Sequence, residues 1–274
     1  SQLFIAQPSI SLAISEMEDY YGVKLFDRIS RKLYLTENGR RALQYARHII
    51  DLLDEMEQGV RDVDAMGRLK VGTSITIGTY LLPGYIKKLK QQYPALKVEA
   101  SIANSGTIEQ QILDNDIDVG IIEGVAHSPF ILSESFAGDR LVFICPAGHE
   151  FAGKTLEELS EVRNQDFILR EKGSAGREIF DGILAAQELN VRPIWQSASN
   201  QVILQGVKAG LGISILPYFL VRQDIREGEL AEFRIKDLAL NRKYSVIYHK
   251  NKFLPRSART LMELCKEGNG ADRI

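Results

Sequence analysis

The hydrophobic positions at the start of the chain repeat with a helical period. Pro8 stands where a first helical residue is favoured, and the apolar residues after it are Ile10, Ala13, Ile14, Met17 and Tyr21. This spacing predicts a helix of about three turns that ends at Gly22, a residue type common at helix C-termini. Leu3 and Phe4 have the pattern of an earlier helix end, so the segment is typical of a helix-turn-helix.

The period changes after Gly22. Two apolar pairs, Leu25 with Phe26 and Leu33 with Leu35, flank the polar stretch 27–32, which predicts a small hairpin with a basic tip, here called the wing. Thr36 then offers a side-chain oxygen that can cap a new helix, which the absence of proline extends to about Met66.

Apolar residues along this long helix alternate steps of three and four, as an interhelical seam requires. They are Leu43, Ala46, Ile50 and Leu53, and then, after a slip in register, Met56, Val60 and Val63. Two interpretations remain open. The helix either lies on its own domain as an ordinary amphipathic helix or forms a dimer, and its length favours the dimer.

From Arg68 onward, short strands alternate with helices. The pattern predicts strand 68–74, helix 80–93, strand 97–103, helix 107–114 and strand 119–122. Similar segments recur at 141–145, 156–159, 167–169, 178–188, 202–209 and 213–216, before strand 244–248 and helix 256–266. We therefore expect two α/β lobes with parallel strands.

The charge of the chain limits how it could bind nucleic acid. The net charge of −2 and the pI of about 6.1 give no bulk attraction to nucleic acid, so a basic surface must be local. Such a cluster occurs in one short span, as Arg28, Arg31, Lys32, Arg40 and Arg41. It is opposed mainly by Asp27 and Glu37, and it suits phosphate contact, although a merely solvated charged face is the alternative.

Catalytic and metal signatures are missing from the sequence. The four histidines, His48, His127, His149 and His249, are isolated, and no nucleophile-elbow motif occurs. Cys145 and Cys265 form no motif spacing and suit packing in a reducing cytosol. With no secretory leader and no apolar run near the ~20 residues of a membrane span, we expect a cytoplasmic protein that is not an enzyme and has no cofactor, no metal and no membrane association.

Several spaced motifs resemble the LysR-type transcriptional regulators. The first segment carries them in 6–11, 16–18, 22–28 and 33–39, and the later matches are 72–83, 104–106, 118–124 and 210–217. The stretch 170–177 is most similar to the branch that regulates sulfur assimilation and carbon fixation. Ala6, Leu12 and Ala13 depart from the family's usual residues.

The resemblance implies a mixed fold class. We expect an α winged helix-turn-helix over 1–36, N-terminally incomplete, and a linker and dimerisation helix over 37–67. An α/β two-lobed effector domain of the type 2 periplasmic-binding-protein kind follows, with lobe I over 68–139 and 244–274 and lobe II over 140–243. The implied partners are double-stranded promoter DNA, a small anionic metabolite and a second copy of the chain. The chain would dimerise or tetramerise, and RNA polymerase is a further candidate.

Two sets of site residues follow. Polar side chains near the start of a recognition helix, together with the wing, predict DNA contact by Gln7, Pro8, Ser9, Ser11, Arg28, Arg31 and Lys32. Ser9 is equally suited to helix capping. Strand ends predict an effector site at Ser74, Thr76, Asn104, Ser105, Glu123, Arg170, Ser174, Arg177 and Asn200.

Alternatives stay open for the effector residues as well. Ser74 and Ser174 could simply cap helices, and Arg170 could pair with Glu123 or Glu171 across the lobes. Glu123 disfavours a purely anionic ligand unless an arginine neutralises it. A solute-binding protein without a DNA role is the competing function, but it leaves the segment 7–39 unexplained.

Overall fold

The computed structural model describes residues 7–29, 32–61 and 67–267, and the chain divides into two compact units, residues 1–64 and 65–274. The first unit contains α1 (Gln7–Tyr21), β1 (Phe26–Ile29), β2 (Lys32–Leu35) and α2 (Glu37–Arg61). The predicted end of the first helix is confirmed, since Gly22 follows α1 with a φ of 66°. The predicted extension of the long helix over 62–66 lies outside the described residues.

The predicted wing hairpin is confirmed. β1 and β2 pair antiparallel from Phe26 with Leu35 to Ile29 with Lys32, so residues 30 and 31, which lie outside the described part, connect the strands. Thr36 also acts as predicted, because its Oγ1 accepts a hydrogen bond from the Gly39 amide at 2.9 Å.

Thr36 and Gly39 join α2 to the turn before the wing. The Thr36 hydroxyl donates to the Lys24 carbonyl at 2.7 Å, while a Cβ on Gly39 would stand 2.0 Å from the Leu25 carbonyl oxygen. Only glycine permits this approach, which explains why threonine and glycine occur at this spacing.

The second unit alternates strands and helices. In chain order they are β3 (Arg68–Ser74), α3 (Ile75–Tyr80), α4 (Leu82–Gln92), β4 (Lys97–Ala103), α5 (Ser105–Leu113), β5 (Val119–Glu123), β6 (Ile131–Pro146), β7 (Thr155–Leu156), β8 (Phe167–Arg170), α6 (Ala175–Ala186), β9 (Pro193–Ser197), α7 (Asn200–Lys208), β10 (Ser214–Pro217), α8 (Tyr218–Arg226), β11 (Leu230–Ile235), β12 (Asn241–His249) and α9 (Arg256–Glu267).

One sheet runs through both lobes. Its strand order is β4-β3-β5-β12-β6-β11-β7, with β10 also paired to β6. The first part of β6 pairs with β12 and the last part with β10 and β11, so β6 crosses from lobe I to lobe II. A separate parallel pair, β8 with β9, completes lobe II. The expected two-lobed α/β domain is confirmed, but the expected parallel arrangement holds only in part. β3 is parallel to β4 and β5, and β8 to β9, whereas β6 pairs antiparallel with β10, β11 and β12, and β12 with β5.

Several element predictions need correction. The predicted strand 141–145 is only the end of the 16-residue strand β6. The predicted helix 80–93 is confirmed as α4 (Leu82–Gln92), whereas α3 (Ile75–Tyr80) before it was not predicted. Pro83, at the start of α4, favours a new helix there. The sequence pattern missed β9, α8 and β11. The predicted lobe boundaries at 139/140 and 243/244 fall within β6 and β12 and stay a prediction.

Each lobe has its own apolar core. Lobe I packs α4 and α9 on one face of the sheet through Leu69, Leu89 and Leu261. Lobe II is rich in phenylalanine, with Phe143, Phe167, Phe180 and Phe233 in one cluster. Because the cores are separate while β6 and β12 are continuous, the strand ends that face the gap between the lobes are held on two rigid bodies.

Candidate functional site

The predicted DNA-contact residues lie on α1 and the wing. Gln7, Pro8, Ser9 and Ser11 occupy the first turns of α1 and are exposed. Lys32 begins β2 and is exposed, Arg28 lies on β1, and Arg31 lies outside the described residues. No contact of these residues tests their role, so it stays a prediction.

Glu18 fixes the turn from α1 to the wing, and the sequence analysis did not give it this role. Its carboxylate accepts hydrogen bonds from the Leu25 amide at 2.8 Å and the Phe26 amide at 3.2 Å, and it pairs with Lys24 at 2.6 Å. The bond from Lys24, followed by that from Leu25, lowers the pKa of Glu18. The carboxylate therefore stays charged and holds the wing on α1.

In lobe I, three strand ends share one edge of the sheet. β3 lies between β4 and β5 and runs parallel to both, with Ser74 beside Ala103 and Thr73 beside Ile121. The residues that follow are the predicted site residues Ser74, Thr76, Asn104, Ser105 and Glu123. The topology therefore brings the lobe I part of the predicted site together.

The polar groups at this edge are only partly engaged. Ser74 stands at the N-cap position of α3, but its side chain makes no capping bond. Its Oγ, the Thr76 hydroxyl and Glu123 Oε1 are buried without a hydrogen-bond partner within the part of the chain that the structure describes. Since a buried polar atom without a partner is costly, this edge is suited to receive a polar ligand.

Asn104 and Ser105 are already engaged. Asn104 caps α5 by accepting from the Thr107 amide at 2.9 Å, and Ser105 donates to the Glu123 main-chain oxygen at 2.9 Å. Asn104 thus fixes the start of α5, and Ser105 connects it to the end of β5.

The facing edge of lobe II is formed by the ends of β8 and β9, which are parallel, with Arg170 beside Ser197. Arg170 donates to Glu171 at 2.8 Å and to Asn200 Oδ1 at 2.8 Å. Of the two partners considered for Arg170, Glu171 is the one observed. Burial raises the pKa of Glu171, but the bonds and charge of Arg170 outweigh it and the pKa is lowered overall.

Arg177 lies deeper in lobe II. It is buried and donates to Asp181 at 2.7 Å and to the Arg170 carbonyl at 3.0 Å. Ser174 stands at the N-cap of α6 without a capping bond from its side chain. Both arginines predicted to meet an anion thus already have protein partners.

The two edges are in contact. Asn104 Nδ2 donates to Glu171 at 3.2 Å, and the Gly106 amide donates to the Gly173 carbonyl at 3.0 Å. Beside them a cavity of about 590 Å³ is lined by residues of both lobes, among them Ile75, Tyr80, Asn200 and Leu204. A volume of this size is typical of sites for small metabolites.

The arginine that pairs with Glu123 is Arg242, which the sequence analysis missed and which Glu123 shares with Asp139. Its Nη1 donates to Glu123 Oε2 at 2.8 Å, and its other nitrogens bind Asp139 at 2.5 and 2.7 Å. Burial lowers the pKa of Arg242, but the charges of Glu123 and Asp139 raise it above its ordinary value. Glu123 and Arg242 are 119 residues apart, so no local pattern could have linked them.

Comparisons with known proteins fit this architecture. Residues 1–40 match the bacterial regulatory helix-turn-helix protein, lysR family, and residues 64–270 match the LysR substrate binding domain. The chain belongs to the LysR family of transcriptional regulators. It is a DNA-binding regulator with an effector-binding domain, and the solute-binding alternative is set aside.

Among individual relatives, the chain is 34% identical to the regulator YeiE of Escherichia coli K12, over 97% of this chain and 90% of the relative. It is 29% identical to the regulator CysL of Bacillus subtilis, over 90% and 83%. A solved structure, the Synechocystis PCC6803 CcmR regulatory domain in complex with 2-PG, matches with a TM-score of 0.66 and 25% identity, over 73% of this chain and 96% of that one.

The predicted resemblance to the branch of sulfur and carbon-fixation regulators also has support, since RuBisCO operon regulators are among the relatives. Within the described residues, no helix is both long and apolar enough to cross a bilayer.

Proposed function

We propose that this protein binds promoter DNA through α1 and the wing, and that a small anionic metabolite in the cleft between the lobes modulates that binding. In this proposal the chain works as a cytoplasmic regulator without enzymatic activity. The observation that carries the ligand site is a set of buried oxygens at the lobe I edge, on Ser74, Thr76 and Glu123, that have no hydrogen-bond partner among the described residues.

The ligand chemistry follows from these oxygens. The two hydroxyls can donate to an anion. While Glu123 is ionised, its Oε1 accepts hydrogen bonds and cannot donate one. A ligand that satisfies all three groups is an organic anion that also carries a hydroxyl or an ammonium group.

Calorimetry on the whole chain tests the site, with sulfate, sulfite, O-acetylserine and 2-PG as probes. We expect at least one to bind, and Thr76→Val to weaken that binding by about tenfold because the valine cannot donate a hydrogen bond. Thr260→Val is the matched control, because the Thr260 hydroxyl, on α9, already pairs with the Tyr93 hydroxyl at 2.9 Å. If none of the probes binds, or if Thr76→Val binds as tightly as the parent chain, the assignment of the cleft is wrong.

The DNA half of the proposal rests on the exposed start of α1 beside the basic wing. We expect replacement of both Arg31 and Lys32 by alanine to weaken binding similarly on all sequences and to flatten its dependence on salt, because phosphate contacts release counterions. Gln7→Ala should instead lower the preference for the cognate promoter. Unchanged affinity and salt slope in gel-shift titrations of the double variant would contradict the role of the wing.

Self-association through α2 is the third part of the proposal. The predicted seam leaves Leu43, Ile50, Leu53 and Met56 exposed on the single chain, with Ile50 at 59% exposure. An apolar stripe of this length is stabilised when a second helix covers it. We expect Ile50→Glu to shift sedimentation toward the monomer, whereas Arg41→Glu, on an exposed position of α2 opposite the seam, should not.

A further inference from the structure

Three buried charged groups connect the lobe I edge to the strands that cross between the lobes. Arg242, on β12, donates to Glu123 at the end of β5 and holds Asp139 on β6 through two parallel bonds. All three side chains are at most 5% exposed. A guanidinium that a carboxylate holds at two of its nitrogens has a fixed orientation. The third nitrogen, Nη1, is therefore also fixed.

Asp139 and Arg242 face each other on neighbouring strands. They are direct partners in the antiparallel register, next to the pair Asn241 and Arg140. Gly138 keeps the strands close there, because a Cβ at that position would lie 2.7 Å from the Arg242 carbonyl oxygen. The amide after Glu123, on Gly124, also donates to β12, at the Lys243 carbonyl. The backbone of the crossing strands thus sets where the Arg242 guanidinium lies.

The consequence concerns one oxygen. Arg242 occupies Glu123 Oε2 and leaves Oε1 buried without a partner within the described residues. Without Arg242, the Glu123 carboxylate would have neither its charge partner nor a fixed rotamer. We infer that Arg242, oriented by Asp139, is a positioning residue that presents Glu123 Oε1 as an acceptor and so makes the cleft select ligands that carry a hydrogen-bond donor. This inference rests on the proposed ligand site.

The test compares O-acetylserine with 3-acetoxypropionate, which lacks the ammonium group and with it both the hydrogen-bond donor and one positive charge. In the parent chain we expect O-acetylserine to bind at least about tenfold more tightly than 3-acetoxypropionate, because only its ammonium group can donate a hydrogen bond to the Glu123 carboxylate. Glu123→Gln should abolish this preference. Arg242→Lys, which keeps the charge but not the two-point contact, should reduce the preference at least severalfold while 3-acetoxypropionate binds within about threefold of the parent value.

A double variant separates positioning from general damage. If Arg242 acts through Glu123, adding Arg242→Lys to Glu123→Gln should not lower the preference further. Arg140→Lys is the matched control, because Arg140 lies next to Asp139 on β6 but makes its own two-point contact with Glu232, at 2.9 and 3.3 Å. Its probe preference should equal that of the parent chain. A preference that survives in Arg242→Lys would overturn the inference, even if the variant is less stable.

A second measurement needs no ligand. Crystal structures of Arg242→Lys and Asp139→Asn should show the Glu123 carboxylate displaced by about 1 Å or more, whereas Arg140→Lys should leave it in place. An undisplaced Glu123 in both variants would defeat the inference whether or not the probes bind. Failure of both probes in the parent chain, with Glu123 displaced in the variants, would count against the proposed ligand but not against the positioning.

Discussion

The two edges of the cleft differ in how far their polar groups are already satisfied. At the lobe I edge, Ser74, Thr76 and Glu123 each keep a buried oxygen without a partner in the described structure. At the lobe II edge, Arg170 and Arg177 are bound to Glu171, Asn200 and Asp181. Lobe I therefore offers free recognition groups, whereas the arginines of lobe II are already paired with carboxylates of their own lobe.

This difference changes how the arginines should be interpreted. An arginine in a cleft suggests an anion partner, but Arg170 is compensated by Glu171 and gives little net positive charge to a ligand. Because Arg170 and Glu171 are paired, replacing either one should lower the free energy of unfolding. The comparison therefore predicts that substitutions at the lobe II edge mainly affect stability, and that those at the lobe I edge mainly affect binding.

The largest effect should come from Arg170→Ala. The change leaves the Glu171 carboxylate half-buried without its partner and removes the bond to Asn200, so we expect the free energy of unfolding to fall by about 2–4 kcal/mol. Urea unfolding of the variant measures this loss. Arg163→Ala, at an exposed position of the same lobe, should stay within about 0.5 kcal/mol of the parent chain. A loss for Arg170→Ala no larger than for Arg163→Ala would remove the contrast between the edges.

The next effect in size is the change in the free energy of unfolding when the Thr76 hydroxyl is removed. Its hydroxyl is buried and has no partner in residues 7–29, 32–61 and 67–267, so Thr76→Val should leave the free energy of unfolding unchanged or raise it by about 1 kcal/mol. Thr73→Val is the control, at a buried position of the preceding strand β3, because the Thr73 hydroxyl donates to the Ser74 carbonyl at 2.8 Å. That variant should lose about 1 kcal/mol. If the two valine variants lose equal stability in urea unfolding, the Thr76 hydroxyl has a partner and the lobe I edge is not free.

Local patterns predicted the elements but not the charge pairing. α1, the wing and the alternation from β3 to β5 are visible because each has its own period or turn residues. β6 was predicted too short because only its end, 141–145, is fully buried, and the half-exposed residues before it do not alternate. The strand ends that form the cleft follow from parallel topology, so Ser74, Thr76 and Glu123 could be predicted to lie together.

The partners of these residues could not be predicted in the same way. Arg242 reaches Glu123 only because β12 returns beside β5 after the whole of lobe II. Asp139 lies in the part of β6 that the hydrophobic pattern did not identify as strand. Arg170 was predicted to bind the effector, with a pair to Glu123 or Glu171 as the alternative, and the choice of Glu171 depends on side-chain geometry that spacing does not encode.

The smallest predicted effect is a pH dependence confined to the lobe II edge. The pKa of Glu171 is lowered in the folded protein, where the bonds and charge of Arg170 outweigh its burial. Its stabilising contribution is therefore fully present above the unfolded glutamate pKa of about 4.3, and it is lost as the pH falls through the lower folded value. We expect the difference in unfolding free energy between the parent chain and Glu171→Gln to be about 1 kcal/mol at pH 6 and to shrink below pH 4. Glu157→Gln, whose carboxylate is 74% exposed beside Lys236, should show a much smaller change over the same range. A difference for Glu171→Gln that stays constant from pH 6 to pH 3 would mean that the Arg170 pair does not depend on ionised Glu171, and the contrast between a charge-compensated edge and a free one would lose its electrostatic basis.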